Sequence, residues 1–308
     1  MYYNLKEFGD TLRRIRSIQH ITQKDINNRV SINLETLRKI ENGLVLPRQE
    51  TLDLLSSALN MDIAELFLTY RMDNYPILED LKKDLDFHLD GGDYSALEDD
   101  LIRLKDLSTY NMNPFFKNKV LQLICMVEGI LIAFNTQDYA LEISHYTKGL
   151  SYTIPDFNLA SYQNYYYNEL EIRLLMNIAL SKYNLGLIEE CIDLLDFSIY
   201  FFQENGTPSS SNLLSRLHYN MSYTFHRIDD HTKALEHANL GIEHTIANRS
   251  IVFLAHLYYR KGIAEFYLND PNYLDTLKYA KNLFLTSNHH QLCLKIIDSC
   301  KTYYGITL

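Results

Sequence analysis

The sequence predicts an all-α protein, with a small N-terminal helix-turn-helix head followed by an α-solenoid of helical hairpins. Three observations carry this. The 308 residues include only 11 Gly and 6 Pro, about half of ordinary usage, so the chain has few of the tight turns that a sandwich or barrel requires. Apolar residues recur at three- and four-residue spacing, and no useful run alternates as a half-buried strand does. A helix, a polar turn and a second helix return at a regular interval through the C-terminal part. At this length about two domains are expected, here residues 1–70 and 71–308.

Charge is unevenly placed. The whole chain carries a net charge of −10. Residues 1–71 hold ten basic and nine acidic side chains, which leaves nineteen basic and thirty acidic for the rest. Between Arg13 and Arg48 the balance is eight basic to three acidic. A small basic segment can meet phosphates by counterion release while an acidic remainder stays off the duplex. The hydrophobic fraction of 46% excludes disorder along the whole chain. The four cysteines form no Cys-x-x-Cys pair and are too sparse for a disulfide scaffold. Buried, reduced thiols are expected. The N-terminus has no basic segment leading into an apolar one. The most apolar stretch, Leu121 to Phe134, contains Gln122 and Glu128 and is too short and polar to span a bilayer. A soluble, cytoplasmic protein with no membrane partner is the expectation.

In the head, Leu5, Phe8, Leu12 and Ile15 define a first amphipathic helix. Thr22 caps a second from Gln23 to about Val30. Ser31-Ile32 makes a turn, and Asn33 caps a third helix with Leu37 and Ile40 inward. Asn42-Gly43 ends that helix, since both tolerate a left-handed cap. Pro47 follows, then helices over Thr51–Asn60 and Asp62–Phe67. Two short helices about four residues apart, flanked by others, form a helix-turn-helix.

The run Thr22-Gln23-Lys24-Asp25-Ile26, then Leu37-Arg38-Lys39-Ile40-Glu41-Asn42-Gly43, then Pro47 and Leu52, resembles the phage-repressor (Xre/Cro) helix-turn-helix family over residues 5–68. Asn27 departs from it, since the family packs an Ala between the two helices there. The resemblance implies that the exposed face of the third helix enters the major groove, through Asn33, Leu34, Glu35, Thr36, Arg38 and Lys39. Arg38 and Lys39 donate to guanine edges or phosphates, and Glu35 accepts from a cytosine amino group. Gln23 meets a phosphate at the start of the second helix. Asn42 and Arg48 flank the same strand. Arg16 and Glu41 match a family ion pair that holds the first helix against the third.

Beyond Tyr75 the signal is repetition. Ser222, Phe225, Ala234 and Ala238 correspond to Ala179, Lys182, Cys191 and Leu195 one copy earlier, and to Ala264, Tyr267, Thr276 and Ala280 one copy later. Glu128, Leu131, Ala140 and Ser144 form a preceding copy, and a weaker one centres on Ser95. This resembles a degenerate tetratricopeptide array of about five hairpins, closed by a capping helix from His289 to Tyr304. No hairpin buries its apolar face alone, so neighbours stack into a superhelix with a concave groove.

A Xre-type head followed by such an array resembles the peptide-pheromone-sensing regulators of Firmicutes (the Rgg, PlcR and PrgX group), most closely the PlcR type. The stretches Arg216-Leu217-His218-Tyr219-Asn220 and Leu257-Tyr258-Tyr259-Arg260-Lys261-Gly262 look like that family's repeat helices. The resemblance implies a homodimer on palindromic double-stranded operator DNA, controlled by a short signalling peptide in the groove. An alternative stays open, a phage- or mobile-element repressor whose array binds a protein antirepressor.

The first helix of each hairpin lines the concave face, and repeat alignment nominates its inward residues. These are Arg173, Asn177 and Tyr183 in one repeat, Arg216, Tyr219, Asn220 and Tyr223 in the next, and Tyr258 and Lys261 in the third. An Asn amide both donates to and accepts from an extended backbone, and Arg clamps a carboxylate. By the resemblance, Asn220 matches a peptide-gripping residue, and Asn177 follows it by internal repeat. No nucleophile elbow, phosphate loop or HExxH motif is present, and no cofactor, metal or catalysis is expected.

Overall fold

The structure, a computed structural model, describes residues 3–72, 75–92, 94–110, 112–205, 212–247, 253–287 and 290–308. Among these residues there are sixteen α-helices, a short 3-10 helix at Leu159–Asn164, and no strand. The chain divides into two compact units, residues 1–84 with 102–120, and residues 85–101 with 121–308.

The head comprises α1 (Leu5–Ile18), α2 (Gln23–Val30), α3 (Leu34–Glu41), α4 (Gln49–Leu59) and α5 (Ile63–Leu68). Its core is Phe8, Leu12, Ile26, Leu37, Ile40, Leu55 and Ile63, each almost fully buried. Thr22 forms a reciprocal capping box with Asp25, and Asn33 accepts from the Glu35 backbone N–H. Gly43 alone is left-handed at the end of α3, with φ +69°. Its N–H donates to Ile40 and the Leu44 N–H to Lys39, the paired bonds of a Schellman cap. Gly9 is required where α1 crosses α3, because a Cβ there would stand 2.6 Å from the carbonyl oxygens of Ile40 and Glu41. Asn27, the departure from the family pattern, donates to the Ile32 carbonyl at 2.7 Å and ties the turn between α2 and α3.

Glu41 is 1% exposed and collects the polar contacts of the head. Arg16 donates to both its carboxylate oxygens, at 2.6 and 3.1 Å, and Gln23 Nε2 donates at 2.8 Å. Arg13 donates to the Glu41 carbonyl at 2.9 Å. A carboxylate so buried is tolerated only when it is paired and hydrogen-bonded.

The remaining helices are α6 (Tyr75–Gly91), α7 (Ala96–Leu107), α8 (Pro114–Thr136), α9 (Tyr139–Ser151), α10 (Glu169–Asn184), α11 (Ile188–Asn205), α12 (Leu213–Arg227), α13 (His231–Ala247), α14 (Leu254–Tyr267), α15 (Tyr273–Thr286) and α16 (His290–Tyr304). Three hairpins, α10/α11, α12/α13 and α14/α15, stack in order, and their first helices α10, α12 and α14 lie side by side. The repeat anchors make the close approaches. Ser222 donates to the Ala234 carbonyl at 2.7 Å, and Ala179, Cys191, Ala238 and Ala280 are buried. α16 packs on α15 as the closing helix; His289, the expected first residue of that helix, lies outside the described residues.

One expectation is corrected. The apolar stretch at 121–134 belongs to α8, a helix of 23 residues that is long and apolar enough by length and composition to cross a membrane. It starts earlier, at Pro114, and runs to Thr136. Half of its apolar window is buried inside the protein, with Leu123, Cys125, Met126 and Val127 in the core, so it serves as a core helix. All four cysteines are buried, and burial pushes Cys125, Cys191 and Cys300 up to about 11.

Arg16→Ala strands the Glu41 carboxylate, and we expect a loss of about 3 kcal/mol in the denaturant-induced unfolding of the head; an unchanged midpoint would contradict this account of the core. Acidification gives a second expectation. Burial holds His218, beside His237, down to about 3, and His226, beside His231 and Tyr304, down to about 4. Their neutral forms favour the folded state, so stability is complete above the ordinary histidine value and falls as pH drops below it. Between pH 7 and 5 each costs about 2 kcal/mol. Asp90, which burial raises to about 6, acts in the opposite sense and offsets part of the loss. Thermal melts at the two pH values should show net destabilisation at pH 5.

Candidate functional site

Two sites emerge, one in each unit. In the head, the cap at Asn33, the packing of Leu37 and Ile40, and the clasp on Glu41 fix which face of α3 is outward. Asn33, Glu35, Thr36, Arg38 and Lys39 are exposed along it, Leu34 is half-buried at its start, and Arg48 is exposed where α4 begins. Lys39 Nζ lies 2.8 Å from Glu35, whose carboxyl is held below its usual range by that lysine. Arg38 is left as the cation of this face without a carboxylate among the described residues. Two nominated residues have internal work. Gln23 donates to Glu41, and the Asn42 side chain accepts from Arg13 at 2.7 Å. The turn and caps bring the nominated residues of α3 together on one exposed face, because α2 and α3 are short and end sharply.

In the second unit, cavities run along α10, α12 and α14. The first, of about 380 Å³, is walled by Tyr94, Tyr139, Tyr146, Arg173, Met176, Asn177, Leu180 and Arg216. The second, of about 360 Å³, shares Tyr94, Met176 and Arg216 with it and adds Asp90, Tyr219, Asn220, Tyr259 and Arg260. A third, of about 520 Å³, is lined by Tyr223, His226, Arg227, Tyr259, Arg260 and Tyr304. The Asn177 Nδ2 is buried and has no hydrogen-bond partner, which is a costly state for an amide donor.

The structure thus sorts the nominated groove residues. Arg173 and Asn177 line the first cavity, Arg216 both the first and second, Tyr219 and Asn220 the second, and Tyr223 the third. Tyr183, Tyr258 and Lys261 lie on none of these three walls. Tyr183 accepts from Arg227 Nε at 3.2 Å, Tyr258 packs on Tyr279, and Lys261 reaches Glu265 at 3.8 Å. On α14 the cavity face is His256, Tyr259 and Arg260. The repeat alignment reads that face about one residue out, and one residue turns a helix by about 100°.

The charges are also arranged otherwise than the sequence suggests. Arg173 donates to Asp86 at 2.6 Å, and Arg216 lies 2.7 Å from Asp90 and 3.6 Å from Asp86. Both carboxylates sit on α6, one turn apart. The Arg216–Asp90 contact is an ion pair without hydrogen-bond alignment, and burial raises Asp90 to about 6 despite that arginine. The two arginines nominated as ligand clamps are therefore already paired. Spacing alone does show Asp86 and Asp90 on one face of a helix, but nothing local shows which arginines they meet more than eighty residues later. Among the described residues, no cluster of His, Cys, Asp and Glu could hold a metal ion.

Known proteins bear on both units. The RNPP family C-terminal domain matches residues 157–304, and a helix-turn-helix family matches residues 12–66. No curated protein matches the chain. Among solved structures, Bacillus thuringiensis PlcR in complex with the peptide PapR7 and DNA is 17% identical, with 95% of this chain and 99% of that chain covered and a TM-score of 0.75. The Streptococcus dysgalactiae SHP pheromone receptor Rgg2 is 14% identical over 96% and 99%, with a TM-score of 0.56. ComR from S. thermophilus, in complex with DNA and its signalling peptide ComS, is 11% identical over 97% and 100%, with a TM-score of 0.57. At such identities these likenesses speak for the fold. The two domain families are those of transcriptional regulators and not of enzymes. The chain thus joins a head that matches a helix-turn-helix family to a C-terminal segment that matches the RNPP family C-terminal domain, on a fold it shares with PlcR, Rgg2 and ComR.

Proposed function

We propose that the protein is a cytoplasmic transcriptional regulator that binds palindromic operator DNA as a homodimer and is controlled by a short linear peptide held along α10, α12 and α14. The observation that carries the peptide half is the row of cavities on consecutive first helices, with the unpartnered Asn177 amide in one and Asn220 in the next. An extended ligand exposes backbone donors and acceptors at regular intervals, and amides repeated along the row can satisfy them. PlcR with PapR7 and DNA, and ComR with DNA and its signalling peptide, are complexes of the same two kinds of partner, which supports that pairing here.

The DNA half rests on the exposed face of α3. One recognition helix reads only a few base pairs, so two heads address half-sites about one helical turn or a multiple apart. Arg38 and Lys39 bind guanine edges or phosphates, with Arg48 on the flanking backbone. Lys39 must exchange its Glu35 partner for DNA, so Arg38→Ala is the more damaging change. We expect Arg38→Ala to weaken operator binding by about 1–3 kcal/mol and Lys39→Ala to weaken it less, with unfolding unchanged in both. Fluorescence anisotropy on operator DNA across a salt series measures this; full affinity in both variants rules out α3 as the reading element.

Asn220→Ala is expected to lower affinity for the cognate peptide by about 1–3 kcal/mol while DNA binding without peptide is retained. Calorimetry with peptides encoded beside the gene tests the reading. A partner found to be a folded protein instead of a short peptide would favour an antirepressor.

A further inference from the structure

We propose that Arg260 is the carboxylate anchor of the groove, so that the ligand peptide carries a free carboxylate that docks between Tyr219, Tyr223 and Tyr259; this rests on the peptide reading above. The Arg260 guanidinium carbon lies 5.0, 4.7 and 4.9 Å from the ring centroids of Tyr219, Tyr223 and Tyr259. One terminal amine donates to the Tyr219 hydroxyl at 3.2 Å. The Nε is buried and makes no hydrogen bond. No carboxylate among the described residues pairs with this arginine. Ring faces and one phenol thus hold the cation, and these compensate a desolvated charge only in part.

The surroundings point the same way. Tyr259, Arg260 and Ser299 line both the second and the third cavity, so the guanidinium stands at a wall open to ligand space on two sides. The second cavity carries Arg216, Arg260 and Lys295 against Asp90, and the third Arg227 and Arg260 against Asp229. Cations prevail on both walls, although the chain beyond residue 71 holds thirty acidic side chains against nineteen basic. Arg173 and Arg216 have their carboxylates from α6, whereas no carboxylate among the described residues serves Arg260. A guanidinium presenting an unused Nε can complete its fork on a carboxylate in a charge-assisted pair. The carboxylate is either the peptide's C-terminus or a Glu or Asp side chain.

The test uses the full chain and three pools of random heptapeptides. One is free of acidic residues and has a free C-terminus. The second is the same pool amidated. The third is amidated with a single Glu at varied positions. We expect at least tenfold preferential retention of one carboxylate-bearing pool over the neutral one, and loss of that preference in Arg260→Met. Retention of the first pool assigns the C-terminus, and of the third a side chain. Retention indifferent to the carboxylate, or a preference that survives Arg260→Met, overturns the role of Arg260 while leaving peptide binding intact. Retention of no pool overturns the peptide reading and this anchor with it. Two measurements guard against a misfolded variant. The free protein's Tm should hold or rise in Arg260→Met, because a buried unpaired charge is removed; a lower Tm marks a structural arginine and overturns the proposal. In the parent, the Arg260 Nε–Hε NMR signal should move downfield when the retained pool is added, and an unmoved signal overturns it.

Discussion

Glu41 accepts from Arg16, Gln23 and Arg13 at once. A charge that deep in a bundle of seventy residues is tolerable only while every donor is in place, and the donors come from α1 and from the start of α2, converging on the end of α3. Short helices of eight residues have little stability of their own. Their relative angle is therefore set by this one carboxylate together with the close crossing at Gly9. The exposed row from Asn33 to Lys39 is the outer side of the same arrangement. Gln23 and Asn42 are engaged in the clasp, through Glu41 and Arg13, while Arg38, Lys39 and Arg48 stay exposed outside it.

In the repeat unit the governing constraint is different. No hairpin can cover its own apolar face, so the hairpins cover one another, and small anchors such as Ser222, Ala234 and Ala264 set how near they come. Lining three first helices side by side leaves a row of tyrosine-rich cavities rather than a closed core. Charge inside it is neutralised unequally. Asp86 and Asp90 answer two arginines, and tyrosine rings answer the third.

Much of this is legible in the residues themselves. Thr22, Asn33 and Gly43 announce the ends of α2 and α3 through capping chemistry that acts over three or four positions, and the repeat appears as returning small residues. The Arg16–Glu41 pair follows from a family pattern and stands at 2.6 Å. What escapes is long-range or angular. The partners of Arg173 and Arg216 lie on α6, and sequence carries no mark of a contact across such a separation. Repeat alignment puts Tyr258 and Lys261 on the wall that Tyr259 and Arg260 occupy, since degenerate repeats of unequal length leave the rotation of a helix undetermined by one step. The full length of α8 is hidden because Pro114 opens the helix and polar Lys117 and Asn118 mask its continuity with the apolar run.

The four cysteines add a practical property. Cys125 lies in α8, Cys191 in α11, and Cys293 and Cys300 in α16, all buried, with thiols whose burial disfavours the reactive thiolate. A thiol of this kind is silent to alkylating reagents until its helix opens. The rate at which each becomes labelled then reports the opening free energy of its own stretch of the stack. The native chain carries built-in reporters at the beginning, middle and end of its solenoid, and it needs no engineered probe for local breathing to be timed.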